Sequence, residues 1–538
     1  MSAHASPLDR PRPNVVLILV DDMGFSDLGV TGSEIQTPFI DGLARDGVVM
    51  SAMYNCGRCC PTRASLLTGL YPHKAGVGHM TAQLSLPAYQ GHLRNDTATI
   101  AEVLRLNGYR TLMAGKWHVG GDFQPRDVDD WKIGDIDHPT PLQRGFERFY
   151  GTLYGAGSYF APHHMMADDR RVLVEADDFY MTDAVTDQAI AMIGSAEAKK
   201  PFFLYLAFTA PHWPLQAPQA DIARYEGCYR QGWDRARAAR HERLAASGLF
   251  RRPWALSPRD PKAAAWNDSP HQDWEAMRMA VYAAMVDRMD RCVGRLLDHL
   301  TLIGARDDTL VMFLSDNGGC AKSLDEDGFA LGYPDRLPDG RPIVIGNRPG
   351  LRPGGRQTFM SYGRCWSNLS NVPFRLHKSW VHEGGISTPL IVSWPGRIAG
   401  GRAIDEPAHV IDLMPTILDA AGATMPGEIG GNALQALDGV SLLDPLAGGG
   451  QLAGRMLFWE HGGHRAARVG NLKLVRERGH PWELYDMDED RTELSDLAPT
   501  HGADVSRLEA AYDDWATACG VEPWRVVKRR IGAGRDAT

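Results

Sequence analysis

Five short, largely apolar runs, four of them closed by a cluster of polar residues, constrain this chain more than any other feature of its sequence. They lie at 15–20, 110–114, 202–208, 309–314 and 390–394, and they do not alternate apolar with polar residues. A strand of that kind is buried on both faces, as in a parallel sheet covered by helices. Helical stretches separate the runs. The stretch 97–107 stops at Gly108, a residue suited to a helix C-terminus, and 274–300 is a long amphipathic run. The order strand, helix, strand, helix predicts an α/β fold with a large, mostly parallel sheet sandwiched by helices.

At about 150 residues per domain, 538 residues would allow three or four domains. The order of motifs predicts instead one catalytic domain over 1–450, with insertions at about 215–270 and 318–373 that are rich in Arg, Ala, Trp, Gly and Pro. After the glycine-rich link at 448–450, short alternating runs at 455–459, 472–475 and 482–486 precede a helical stretch near 505–518. They predict a small α+β C-terminal subdomain over 451–538, a short antiparallel sheet plus a helix. The balance of 57 basic against 66 acidic side chains argues against nucleic acid or a membrane surface as partner. No segment approaches the roughly 20 apolar residues that cross a bilayer. The run 15–20 is shorter than the roughly 7–15-residue core of a signal peptide and meets two aspartates, so a cytoplasmic protein is expected.

The functional signal lies just beyond the apolar runs. Asp21-Asp22 comes after the first, Gly115-Lys116-Trp117-His118 after the second, Ala210-Pro211-His212-Trp213-Pro214 after the third and Ser315-Asp316-Asn317-Gly318-Gly319 after the fourth. Ligands of open parallel sheets bind beyond the carboxyl ends of the strands. Any one of these clusters could be a cap or a turn; four coincident strand ends point to a site. Asp21, Asp22, Asp316 and Asn317 offer only oxygen, which selects a hard cation, calcium first and magnesium or manganese as alternatives. Three carboxylates outweigh one divalent ion, so an anionic substrate also needs cations, for which Arg63, Lys116 and Lys378 are the candidates.

Three of the eight cysteines, Cys56, Cys59 and Cys60, crowd into five residues, without the framework of a disulfide-stapled domain. From Cys59 onward, CCPTRASLLTG reads as the start of a helix, with Pro61 in its first turn and Gly69 at its end. A thiol at a helix N-terminus is biased toward thiolate. Cys59 is therefore a candidate nucleophile or redox thiol, set against the plainer reading of a buried structural cysteine.

Cys-x-Pro-x-Arg followed by Leu-Thr-Gly resembles the signature of type I sulfatases in the alkaline-phosphatase-like superfamily. NVVLILVDDMG, GKWH, APHWP, SDNGG, HEGGISTPLIVSWPG and ELYDMDEDRTEL extend the resemblance over nearly the whole chain, which is most similar to bacterial arylsulfatases of cytoplasmic type. Thr62 stands where the signature usually has serine. The resemblance implies that Cys59, the residue two before Pro61, is oxidised to formylglycine by a formylglycine-generating maturation enzyme. It implies that Asp21, Asp22, Asp316 and Asn317 bind calcium with the formylglycine oxygen. Arg63 and Lys116 would steady that residue, while Lys116, His212 and Lys378 hold the sulfate of a small-molecule sulfate ester. One hydroxyl of the aldehyde hydrate would attack sulfur with Asp316 accepting its proton. His212 would protonate the leaving oxygen, and His118 would take the second hydroxyl's proton as sulfate departs. The alternatives are a phosphonate monoester or phosphodiester hydrolase using the same nucleophile and metal, and a non-catalytic binder of sulfated ligands should Cys59 stay unmodified. Specificity is expected in the two insertions and the loop 154–166, with Trp213 and Tyr159 as candidate stacking residues. His163, His164, His461 and His464 have spacings open to metal but read as structural; His382 is a weaker candidate near Lys378.

Overall fold

A computed structural model describes residues 12–123, 128–174, 176–194, 200–324, 333–452 and 454–535. The apolar runs assemble into one large sheet made of β1 (Asn14–Val20), β2 (Val48–Tyr54), β3 (Arg110–Lys116), β4 (Arg148–Thr152), β5 (Met165–Ala167), β6 (Arg170–Val172), β7 (Phe202–Ala207), β8 (Thr309–Ser315), β9 (Ser387–Ser393), β10 (Arg402–Ile404) and β11 (Ala408–His409). Its order is β10-β2-β9-β8-β1-β7-β3-β4-β5-β6, with β11 also on β2. The block β8, β1, β7, β3 and β4 is parallel. At its centre Leu17 of β1 stands between Tyr205 and Met312, and Val15 to Val20 have no exposed surface.

Two features depart from the sequence pattern. The run 390–394 belongs to β9, which is antiparallel to both β2 and β8. Burial on both faces makes a strand continuously apolar whatever its direction, so the pattern carries no information on polarity. The pattern also fails to announce β2, in which Ser51 interrupts the apolar run although all seven residues are buried.

Helices cover both faces. Gln272–Leu302 packs Met285, Val286 and Met289 with Val16, Ile18 and Val20, while Cys59–Thr68, Ile100–Leu106 and Leu413–Ala421 cover Val15, Leu17 and Leu19. Ile100–Leu106 begins at a reciprocal cap: Thr99 Oγ1 accepts from Glu102 N at 3.0 Å, and Glu102 Oε2 accepts from Thr99 N at 2.7 Å. Within the first insertion, helix Gly232–Ala246 supplies Arg240, which pairs with Asp27 and Glu34 at 2.7 Å each and so props the loop after Asp22. The second insertion forms a short parallel pair, Val344–Ile345 with Thr358–Phe359, and the helix Gly363–Ser370; its residues 325–332 lie outside the described ones.

Toward the C-terminus, Met456–His461, His464–Val469, Leu472–Arg476 and Glu483–Asp486 form an antiparallel four-stranded sheet. Helix Gly502–Cys519 packs on it through Leu508, and a second helix, Trp524–Arg535, follows. An apolar seam of Tyr54, Val381 and Ile386 against Trp459, Val475 and Tyr485 joins this unit to the large sheet. Buried charge locks the seam. Lys473 Nζ lies 2.7 Å from Glu383 and 2.8 Å from Glu493, and Arg491 Nε lies 3.0 Å from Glu383. Burial alone would raise the Glu383 carboxyl, but Lys473, Arg491 and Arg468 override it and hold it at about 2. Such a network offsets its desolvation cost only when every member is paired, which fixes the position of the C-terminal sheet beside the rim of the large one. Among the described residues no helix is long and apolar enough to cross a membrane, and none of the eight cysteines is in a disulfide.

Candidate active site

The residues after β1, β3, β7 and β8 meet at one rim of the sheet. Asp22 N donates to Asp316 Oδ1 at 3.2 Å, and Asn317 Nδ2 donates to Asp22 Oδ1 at 2.7 Å. The Lys116 ammonium contacts Asp21 Oδ2, and His212 Nε2 lies 3.4 Å from Asp22 Oδ2. Lys378 arrives from the loop before β9 and pairs with Asp22 Oδ1. Arg63 Nη2 lies 2.8 Å from Asp316 and 3.4 Å from Asp21, while its Nη1 donates to the Lys116 carbonyl at 3.0 Å. Every one of these side chains is buried. The structure thus brings Asp21, Asp22, Cys59, Arg63, Lys116, His118, His212, Asp316, Asn317 and Lys378 into one neighbourhood.

Local sequence explains the placement. Arg58 is extended (φ −153°) and Cys59 is the first residue of Cys59–Thr68, which ends at Gly69 in the left-handed region (φ 67°). Cys59 and Arg63 are four residues apart and share a helix face. Before Lys116, Gly115 has φ 112°, and a Cβ there would stand 1.9 Å from the Ala207 carbonyl oxygen, so only glycine lets β3 approach β7 at that point. Asp22 (φ 65°) and His118 (φ 56°) are non-glycine residues in the left-handed region. Such residues cost about 1–3 kcal/mol and persist where surrounding contacts over-determine them. Asp22, gripped by Lys378 and Asn317, is held in that way.

The electrostatics are those of an anion site built over an acidic floor. Burial works against the Asp21 carboxylate, but Lys116, His212 and Arg63 hold it down at about 2. Burial and the adjacent Asp21 push Asp316 well above its ordinary value. Two carboxyls flanking one guanidinium nitrogen cannot both ionise freely without more positive charge. Hydrogen bonding with Cys60, then Lys378, Lys116 and His118, draws the Cys59 thiol far below its usual value against burial. Burial, and then Lys116, keeps His118 neutral down to about 4, and burial lowers His212.

A hard cation fits this donor set. Among the described residues, Asp21 Oδ1, Asp22 Oδ2 and Asn317 Oδ1 are buried oxygens that accept no hydrogen bond, and ligand atoms of Asp21, Asp22 and His212 lie within 4.8 Å of one another. Burying acceptors without partners is costly, and a divalent ion bound by oxygen removes that cost.

Other candidates fall elsewhere. His382 is buried 3.7 Å from Glu483, and His164 packs against Tyr154 and Trp131. His461 stacks on His79, and His464 packs on Trp380. Tyr159 is enclosed with its hydroxyl on the His212 carbonyl at 2.8 Å, and Trp213 packs against Tyr333 and Phe359. Both serve packing around His212, which itself donates from Nδ1 toward the Trp213 carbonyl at 2.7 Å. The cleft beside the site takes Lys262 from the first insertion and Cys320 to Ser323 from the second, but also Arg58, His79, His461 and Arg478. No local motif marks these four as a set, because they come from separate segments that only the folded C-terminal sheet brings together.

The large, mostly parallel sheet thus carries carboxylates and cations gathered at one rim. The Sulfatase family profile matches residues 13–423. The chain is 33% identical over 529 residues to an uncharacterized sulfatase of Schizosaccharomyces pombe, covering 92% of this chain and 91% of that protein. It is 34% identical over 456 residues to an arylsulfatase of Klebsiella aerogenes, covering 82% and 93%. The solved structure of Ps i-CgsB aligns with a TM-score of 0.66 at 26% identity over 94% of this chain and 93% of that one. The chain belongs to the sulfatase family and is a sulfuric ester hydrolase.

Proposed function

We propose that the protein hydrolyses small-molecule sulfate esters at Cys59, converted to formylglycine, with Asp21, Asp22, Asp316 and Asn317 holding a divalent cation, calcium by preference. The observation that carries the reading is the set of buried oxygens of Asp21, Asp22 and Asn317 that accept no hydrogen bond among the described residues, ringed by Lys116, Lys378 and Arg63. When bound, the cation would supply positive charge to the sulfuryl oxygens and to the nucleophilic hydroxyl. The hydrate of formylglycine would supply two hydroxyls, one to attack sulfur and one to let sulfate leave.

The chain's own residues do the rest. Lys116 and Lys378 present fixed ammonium groups to the sulfate oxygens, where charge rearranges in the transition state. Asp316, paired with Arg63 at 2.8 Å, would take the attacking hydroxyl's proton. His118, neutral down to about 4, is a base for the second hydroxyl. His212 fixes its ring through the Trp213 carbonyl and turns Nε2 toward the site. Burial disfavours its charged form, and the negative charge of a bound sulfate ester favours it, so protonation accompanies substrate. The family match favours sulfate over phosphonate esters.

His212→Ala tests the acid. Across a series of aryl and alkyl sulfates, the variant is expected to lose about 10²–10⁴ in kcat on poor leaving groups and much less on 4-nitrophenyl sulfate. Equal losses on both would show that His212 does not protonate the leaving oxygen.

A further inference from the structure

Beside the reacting groups lies a cleft of about 790 Å³, running from Lys378 and Cys320 to the first hairpin of the C-terminal sheet. Its charge is lopsided. Seven lysines and arginines line it against one carboxylate, Glu275, which Arg278 already engages at 3.0 Å, in a chain whose net charge is −9. Of the others, Lys378 is paired with Asp22, and Arg364 with Asp260 at 2.7 Å.

Arg58 and Arg478 differ from these. Among the described residues neither forms an ion pair with a carboxylate, although Cys59, Cys320 and Asp22 act on Arg58 from further away. Arg58 donates to Ser379 Oγ at 2.6 Å and to the Met80 sulfur at 3.4 Å; Arg478 donates to the Gly462 carbonyl at 2.7 Å and lies over the Trp524 ring. The stacked rings of His79 and His461, 5.2 Å apart, line the same cleft and add no negative charge. Arg58 immediately precedes Cys59, whereas Arg478 lies in the turn after Leu472–Arg476 of the C-terminal sheet, so the cationic wall starts at the reacting centre and extends away from it. A cleft in the 300–1,000 Å³ class accepts a whole drug-sized ligand, and one aryl sulfate would leave much of it unused. Guanidinium forks match sulfate and carboxylate.

We propose that the preferred substrate is a sulfate ester carrying at least one further acidic group, a second sulfate or a carboxylate, which Arg58 and Arg478 hold in this cleft. The inference rests on the sulfatase reading above. It places part of the substrate specificity on the C-terminal sheet rather than on the two insertions alone.

The test uses the full-length protein and a matched pair of competitors, the mono- and disulfated forms of one disaccharide, against 4-nitrophenyl sulfate hydrolysis. The wild type is expected to bind the disulfated form at least about tenfold more tightly, with the ratio shrinking as salt is raised. Arg478→Ala is expected to cut that ratio to about threefold or less, and Arg478→Lys to keep most of it, because charge is retained. Equal affinity for the two competitors in the wild type would overturn the proposal, and so would a ratio that survives Arg478→Ala. Should the wild type not hydrolyse 4-nitrophenyl sulfate, the sulfatase reading fails by itself; direct titration with the same pair then decides whether the cleft prefers the doubly charged ligand.

Discussion

Cys59→Ala is expected to fold as the wild type does and to lose sulfate-ester hydrolysis by a factor on the order of 10⁶, the scale on which removal of a covalent nucleophile acts. The side chain is small and buried at the first position of Cys59–Thr68, where alanine fits the helix and removes only one sulfur atom. Arg63, Lys116, Asp21 and Asp316 keep their mutual contacts, because none of these runs through the Cys59 sulfur. Turnover of 4-nitrophenyl sulfate, with a thermal melt as the control for folding, measures the effect. Activity within tenfold of the wild type would place the nucleophile elsewhere.

Asp316→Asn is expected to lower both cation content and turnover, the latter by at least about 10³-fold, equivalent to about 4 kcal/mol of barrier. The amide is isosteric and can still accept from Asp22 N, so the local backbone keeps its hydrogen bond. What disappears is one negative charge from the oxygen set and the counter-charge 2.8 Å from the Arg63 guanidinium. Metal analysis after dialysis, together with activity at increasing calcium, separates the two roles. Partial rescue by excess calcium is the expected pattern. A variant with full cation content and full activity would remove Asp316 from the ligand set.

The sequence shows the site more clearly than the architecture around it, and the reason is physical. Strands buried on both faces must be continuously apolar, so β1, β7 and β8 stand out, and whatever polar residues end them are conspicuous by contrast. Asp21, Lys116, His212 and Asp316 owe their visibility to that contrast. Strand direction leaves no such mark, which is why β9 reads like its parallel neighbours while running against them. Lys378 reaches Asp22 across 356 positions, and only its motif hints at the contact. The cleft wall is harder still. Arg58, His79, His461 and Arg478 become neighbours only after the seam of Glu383, Lys473 and Arg491 has docked the C-terminal sheet. The HGGH spacing of His461 and His464 is open to metal but reads as structural; the structure makes it the turn between two strands that pair His461 with His464.

The central claim is that Cys59 is a precursor to the nucleophile, and the mass of the peptide spanning Cys59 tests it most directly. In protein made in its own host, the account predicts an aldehyde in place of the thiol, with the peptide shifting further when a hydrazine reagent is added. An intact Cys59 thiol in a preparation that turns over sulfate esters would contradict it.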